Sequence, residues 1–511
     1  MHSTPATDIV AWLATPAAYP HAPERVEHVE THISHVFLTE NDVYKLKKRV
    51  RFDFLDFTAL AAREQACREE LRLNRRLAPE VYLDLVPITR DPAHELTLGG
   101  AGEVVDWLVH MRRLPADLTL DALHAQGRLR PEHIERLAET LVNFYGAQPA
   151  LTMAADTFRG RLTQHVQANL QKLLAAQHHL PQAAIRRAHA FQLQQLALCP
   201  ELFDVRVRQG RIVDGHGDLR PEHICLTEPP AIFDCIEFNA EFRQNDVADE
   251  LAFLAEECDV IGAGWAGRQL LESYQRRTGD RPAPVLWDFY RAYRACVRAK
   301  VAALRSEQKS QAAQEAALQE ARERLNLADR YATPWLLPIA LAVGGAAGTG
   351  KTTLARAVAA RLGAELLRSD VVRQELFSAS EARYDEPARR RVYEELIERG
   401  RALVGHRLSL IWDATFSVEE MLAQASQVAA SGGGRFLAIE CVCRPEVARE
   451  RIARRLALGT DVSEARPEVH DAQRAAWPSW PAEIPQIRVD TELPIEEQVA
   501  AVIEALRLAS S

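Results

Sequence analysis

Two runs of alternating apolar and polar residues, ETHISHVFL and DVYKLKK, flank Thr39-Glu40-Asn41-Asp42 and predict a β-hairpin closed by a polar turn. From Phe57 to Leu77 the period becomes helical: Ala66, Glu70, Leu73 and Leu77 fall on one face, so a carboxylate points where apolar side chains point. Runs at Tyr82–Ile88 and Val104–Met111, with Gly99 and Gly100 between them, predict further strands. The chain to about residue 113 therefore reads as a small, mostly antiparallel lobe. Residues 117–200 are helical in pattern, with starts at Pro131-Glu132 and Pro181. Val205–Val213 and Ile224–Phe233 read as strands bracketing a loop rich in His, Gly and Asp.

Ala292–Asp329 contains no Gly or Pro and predicts one or two long helices. Thr333-Pro334-Trp335-Leu336-Leu337-Pro338 breaks that pattern, which sets a boundary between 330 and 336 and divides the chain into 1–332 and 333–511. Beyond it, strand-like runs (Ile339–Val343, Ala364–Leu367, Ser409–Trp412, Phe436–Val442, Ile487–Val489) alternate with helical ones. Such alternation predicts a parallel sheet covered by helices.

Composition narrows the class. A chain of 511 residues, 47% apolar and 26% charged, is long enough for two to three ordered domains. A net charge of −9 and a pI near 6.1 provide no broad positive field, so nucleic acid is not an expected partner. The eight cysteines form no CxxC pair, and Cys441 and Cys443 lie in a strand-like run, as buried reduced thiols do. The opening MHSTPATDIVAWLATPAAYP lacks a basic stretch followed by a long apolar one, and no run of 18 apolar residues occurs. A cytoplasmic protein without a membrane partner is expected; the pattern is silent on oligomeric state.

Gly345-Ala346-Ala347-Gly348-Thr349-Gly350-Lys351-Thr352 fits GxxxxGK[ST] between a buried-type strand and a helix. Glycines let main-chain amides wrap a polyphosphate at a helix N-terminus, and Lys351 adds a point charge. Thr352 offers a hydroxyl to Mg²⁺. Thr353 packs or caps beside it and is grouped with the nucleotide-binding residues Gly345, Gly348, Thr349, Gly350, Lys351 and Thr352. Asp413 ends an apolar run where a carboxylate can hold the metal or its water, or simply cap. Asp370 and Arg373, three apart after the second strand, share a helical face. They resemble the substrate side of P-loop kinases similar to polynucleotide and gluconate kinases; the resemblance implies that Asp370 takes the acceptor's proton and Arg373 holds the acceptor, while a surface ion pair is the plain alternative. Arg449, Arg451, Arg454 and Arg455 resemble the arginine-bearing lid of such kinases, with Arg451 and Arg455 the pair expected to neutralise the transferring phosphoryl; a plain basic surface helix is the alternative.

His216-Gly217-Asp218-Leu219-Arg220-Pro221-Glu222-His223 is followed by Phe233-Asp234-Cys235-Ile236-Glu237. These elements resemble the catalytic loop and metal carboxylate of the aminoglycoside phosphotransferase and choline kinase-like family, whose fold is that of protein kinases. The resemblance implies that Asp218 orients or deprotonates an acceptor hydroxyl and that Asp234 holds Mg²⁺. The family pattern places Asn five residues after the catalytic Asp, where this chain has His223. An imidazole suits Mn²⁺ or Zn²⁺ better than Mg²⁺, so His223 either remains a metal ligand or marks a catalytically weak site. Lys45 is preferred over Lys47 as the nucleotide lysine, and Glu70 is its expected partner, with an exposed glutamate beside Glu69 the plain alternative.

The order of modules resembles bacterial fusions of an aminoglycoside phosphotransferase-like domain with a P-loop kinase-like domain. The expected fold is an α+β, bilobal, kinase-like domain over 1–332 followed by an α/β P-loop domain over 333–511. The expected function is a bifunctional, ATP-dependent phosphotransferase acting on hydroxyl groups of small molecules. The rival is a P-loop ATPase or kinase regulated by a nucleotide-binding or ligand-sensing N-terminal half.

Overall fold

The computed structural model describes residues 6–52, 55–175, 179–307, 311–377, 385–458 and 466–508. The hairpin forms between Ser34–Leu38 and Asp42–Lys47, with the Thr39 amide donating to the Asp42 carbonyl at 2.9 Å. These strands belong to a six-stranded antiparallel sheet in the order Glu27–Glu30, Ser34–Leu38, Asp42–Lys47, Glu103–Arg112, Tyr82–Arg90, Leu96–Leu98. Alternation then assigns each side chain a face. Tyr44 and Leu46 join Phe37, Ile88 and Leu108 in one core. Lys45 and Lys47 point to the opposite face, toward Glu70 on the helix Leu60–Asn74.

Packing groups the chain differently from the linear division at 332. One compact unit joins the first 153 residues to Arg206–Arg291; the other joins Ala154–Val205 to residues from Ala292 onward. The first unit is the six-stranded sheet with helices including Leu60–Asn74, Pro131–Ala147, Val247–Val260 and Gly264–Thr278. Its arrangement is the kinase-like α+β fold expected.

The second unit is built on a five-stranded, all-parallel sheet in the order Glu365–Arg368, Leu410–Asp413, Ile339–Gly344, Arg435–Val442, Gln486–Asp490. All the strands expected there are present. The strand order reverses beside Ile339–Gly344, and such a switch point opens a crevice at the carboxyl ends of the strands. The helix Lys351–Leu362 covers the sheet with Leu354, Val358 and Leu362, each fully buried and worth roughly 1.5–3 kcal/mol. The helices Ala155–Leu173 and Gln182–Leu198 pack in this unit too. The Gln194 side chain donates to Ser409 Oγ at 2.9 Å, the Gln167 side chain to the Ala360 carbonyl at 3.1 Å, and Arg186 pairs with Glu365.

One expected strand is a helix. Val205–Val213 divides into the end of the helix Glu201–Arg208 and the short strand Ile212–Asp214. Val205 and Val207 gave the appearance of a two-residue period, but the helix lets Arg206 pair bidentately with Asp246 at 2.8 Å. Gly210, at φ 66°, then turns the chain. The long Ala-rich stretch forms two helices, Pro284–Ser306 and Gln311–Ala332. Among the described residues no helix is long and apolar enough to cross a membrane.

Candidate functional site

The phosphate loop leaves the buried strand Ile339–Gly344 and enters the helix beginning at Lys351. Gly345, Gly348 and Gly350 all hold positive φ (141°, 78° and 85°), conformations that L side chains rarely adopt. Space is short as well: a Cβ on Gly345 would lie 2.7 Å from the Cys441 carbonyl oxygen, and one on Gly348 would lie 2.6 Å from that of Ala448. Lys351 Nζ donates to the Ala346 carbonyl at 2.8 Å, and Thr349 Oγ1 donates to the same oxygen at 2.8 Å.

Thr352 Oγ1 donates to Asp413 Oδ2 at 2.6 Å, with Arg368 Nε 3.4 Å from the same oxygen. Burial pushes the Asp413 carboxyl up, opposed by the Thr352 hydroxyl and Lys351. Burial likewise pushes the Lys351 ammonium down, with Asp413 opposing it. Two hard oxygen donors beside a phosphate loop are the set that Mg²⁺ takes when substrate phosphates complete its shell. Among the described residues no three His, Cys, Asp or Glu side chains gather into a metal cage.

A cleft of about 1180 Å³ opens above the loop, lined by Gly348, Gly350, Lys351, Thr352 and Thr353 and by Asp370, Arg373, Asp413, Arg451 and Arg455. The structure thus brings together most of the residues singled out in this half of the sequence. Asp370 and Arg373 lie on the short helix Ser369–Leu376, immediately after the strand Glu365–Arg368. Arg451 already has work: its guanidinium donates to Thr491 Oγ1 at 3.0 Å and to the Thr491 carbonyl at 2.7 Å. Arg449 pairs with Asp471 at 2.9 Å. Sequence reasoning missed Arg389, Tyr393, Gln473 and Thr491, which also line the cleft; they carry no motif, and only folding gathers them.

In the kinase-like unit, Lys45 Nζ lies 2.8 Å from Glu70 Oε1 and 2.6 Å from Asp234 Oδ1. Lys47 Nζ lies 2.5 Å from Glu70 Oε2 and also pairs with Glu237. Both lysines therefore share one fully buried glutamate, and only Lys45 reaches Asp234. Burial alone would lower the Lys45 pKa, but Asp234 and Glu70 reverse this and hold the ammonium well above its ordinary value. Burial favours a neutral Asp234, yet Lys45 and then His223 keep its carboxyl well below the usual range. Glu237, absent from the expected site, closes the cluster; its signal was its place three residues after Asp234.

The loop carrying Asp218 is fixed from behind. Glu250 accepts the His216 amide at 2.6 Å and the Gly217 amide at 2.8 Å, with Gly217 at φ 86°. The His223 ring nitrogen Nδ1 lies 3.0 Å from the Asp218 carbonyl oxygen and so carries the proton. His223 Nε2 faces Asp234 Oδ2 at 3.6 Å. Asp234 itself sits at φ 63°, a region that Asp tolerates better than most residues, and its amide donates to the Tyr82 hydroxyl at 3.2 Å. Asp218, His223, Asp234 and Lys45 thus form one polar row.

An AAA domain family model matches residues 341–478. The chain is 33% identical over 496 residues to the "Uncharacterized protein Rv2004c" of Mycobacterium tuberculosis, covering 94% of this chain and 95% of that one. Among solved structures it is similar to a choline/ethanolamine kinase family protein from Mesorhizobium loti, at 17% identity and a TM-score of 0.36 over 63% of this chain and 99% of that one. It is also similar to a putative kinase from Chloroflexus aurantiacus, at 24% identity and a TM-score of 0.28 over 34% of this chain and 96% of that one.

Proposed function

We propose that the chain, which belongs to the family of the Mycobacterium tuberculosis protein Rv2004c, is an ATP-dependent phosphotransferase with two sites acting on hydroxyl groups of small molecules. The observation that carries this reading is the gathering of Lys351, the bonded pair Thr352 and Asp413, and Asp370 around one cleft above a phosphate loop.

At the P-loop site the loop amides and Lys351 bind the polyphosphate, which fixes the γ-phosphorus against the acceptor. Asp370 accepts the acceptor's hydroxyl proton as its oxygen bonds to that phosphorus and the β–γ bridging P–O bond breaks, releasing ADP. Arg373 holds the acceptor, and Arg455, with Arg451, offsets charge on the transferring group. Thr352 and Asp413 are the residues that would hold Mg²⁺, which supplies charge neutralisation on the phosphate oxygens.

At the kinase-like site Lys45, oriented by Glu70, binds phosphate, Asp218 takes the acceptor's proton, and Asp234 with His223 would hold the divalent ion. Magnesium is the proposed ion there too, held chiefly by the Asp234 carboxylate. Asp234 has one oxygen on Lys45 and the other facing His223. That engagement favours the second reading, in which the kinase-like half binds a nucleotide or ligand and regulates the P-loop site.

The full chain tests both readings. ATP turnover with a metabolite-library acceptor pool should fall at least about 100-fold at the P-loop site in Lys351→Ala, leaving a residual that Asp218→Asn abolishes. If Lys351→Ala alone removes all turnover and Asp218→Asn changes none, the regulatory reading replaces the bifunctional one. If Lys351→Ala turns over ATP like the unaltered chain, the P-loop site is not an enzyme site.

A further inference from the structure

The phosphate loop is gripped from outside by side chains that no motif marks. On the helix Pro467–Ala475, His470 is 2% exposed, and its Nδ1 lies 2.7 Å from the Ala347 carbonyl oxygen. A carbonyl can only accept, so Nδ1 carries the proton. One helical turn on, Gln473 Oε1 accepts the Ala347 amide at 2.7 Å. Both polar groups of one loop residue are therefore held by side chains three apart on one helix face. On the other flank, Thr491 Oγ1 donates to the Thr349 carbonyl at 2.8 Å, and Arg451 fixes Thr491.

The consequence follows from peptide geometry. In a trans peptide the C=O and the following N–H point in opposite directions. His470 holds the Ala347 carbonyl outward and so turns the Gly348 amide the opposite way; Thr491 on the Thr349 carbonyl does the same for the Gly350 amide. Gly348 and Gly350 both line the cleft. The peptide between Ala346 and Ala347 is pinned at both ends, its oxygen by Thr349 and Lys351 and its N–H by Gln473. Glycines free the loop to adopt many conformations, and external partners are what select one.

We infer that His470, Gln473 and Thr491 are positioning residues for the phosphate loop: they aim the Gly348 and Gly350 amides at the polyphosphate before it binds. The same contacts tie the loop to the arginine-bearing helix Pro445–Leu458, because that helix carries both Arg451, which fixes Thr491, and Arg449, which pairs with Asp471 on the helix of His470 and Gln473. This inference rests on the phosphate-loop reading above.

The test is the component of Mg²⁺-ATP binding to the full chain that Lys351→Ala removes, followed by titration calorimetry so that the kinase-like site is read separately, with the thermal midpoint of each variant measured alongside. Gln473→Met removes an acceptor from a half-buried side chain, and Thr491→Val and His470→Leu remove donors. Each is expected to weaken ATP binding about tenfold, equivalent to about 1.4 kcal/mol. Thr491→Ser keeps the hydroxyl, and His470→Asn keeps a donor near the Nδ1 position, so both should bind within about twofold of the unaltered chain. Steady-state assays should show the change in KM for ATP rather than in kcat. The inference is overturned if Gln473→Met and Thr491→Val bind normally, or if His470→Asn and Thr491→Ser are as weak as the variants that lose the group. Failure of the unaltered chain itself to bind ATP, or normal binding by Lys351→Ala, would instead remove the phosphate-loop reading.

Discussion

At the scale of single residues, the kinase-like unit concentrates charge where water is scarce. Lys45 and Lys47 meet Glu70, Asp234 and Glu237, and the two lysines and Glu70 are almost wholly buried. Their carboxylates respond in opposite senses. Burial would raise Glu70, but Lys45 and Lys47 outweigh it and hold the carboxyl below its ordinary value. Glu237 is raised, because burial outweighs the pull of Lys47. By linkage, the stabilisation from Glu70 is present above its unfolded pKa of about 4.3 and is lost as pH falls below it. That from Glu237 is present below its unfolded pKa and is lost as pH rises through the folded one. Glu70→Gln should therefore cost about 2–3 kcal/mol near neutral pH, with the penalty shrinking as pH falls toward 4. Glu237→Gln should cost less, and its penalty should shrink as pH rises. Urea midpoints of both variants across the pH range check the opposite slopes. Glu70 was legible because a charge on an apolar face demands a partner; the choice between Lys45 and Lys47 was not, since both lie on the same strand face.

At the scale of elements, glycines mark where backbones meet. The helix Lys351–Leu362 ends at Gly363, with φ 65°, and a Cβ there would come 2.9 Å from Ala190 Cα on the helix Gln182–Leu198. Gly433 has nearly the same φ, 64°, but nothing lies within 4 Å of an added Cβ. Gly433→Ala should thus cost about 1–2 kcal/mol of backbone strain alone, and Gly363→Ala distinctly more, because two backbones must also separate. Equal thermal midpoints for the two variants would show that this helix contact contributes nothing. Strand positions in the parallel sheet were legible because continuous apolar runs in βα alternation leave few other solutions. The helix Glu201–Arg208 was not, because its spaced valines imitate a strand and the partners of Arg206 lie far along the chain.

At the scale of the whole molecule, sequence order and packing disagree about where the P-loop unit begins. The helices Gln182–Leu198 and Gln311–Ala332 precede residue 333, yet they pack with the unit that holds the parallel sheet. Ala197, with Leu198 packed beside it, shares a core with Leu341, Leu354 and Leu362, and Arg187 pairs with Asp329 at 2.6 Å. A fragment covering 333–511 would leave that apolar surface in water. It should unfold at lower urea than the same unit in the full chain, by tryptophan fluorescence, or aggregate outright. A fragment as resistant as the full chain would make 333 a true folding boundary.

The sequence alone determined the elements whose signals are local: the hairpin, the parallel βα alternation, and the glycines and lysine of the phosphate loop, since each depends on residues close in the chain. Tertiary structure decided whatever depends on direction and distance. It placed two lysines on one buried glutamate, bound Arg451 to Thr491 and set His470 and Gln473 against Ala347. A side chain's role there is fixed by which groups desolvation leaves without water, and the partners come from elsewhere in the chain, 40 positions away for Arg451 and Thr491 and 126 for Gln473 and Ala347.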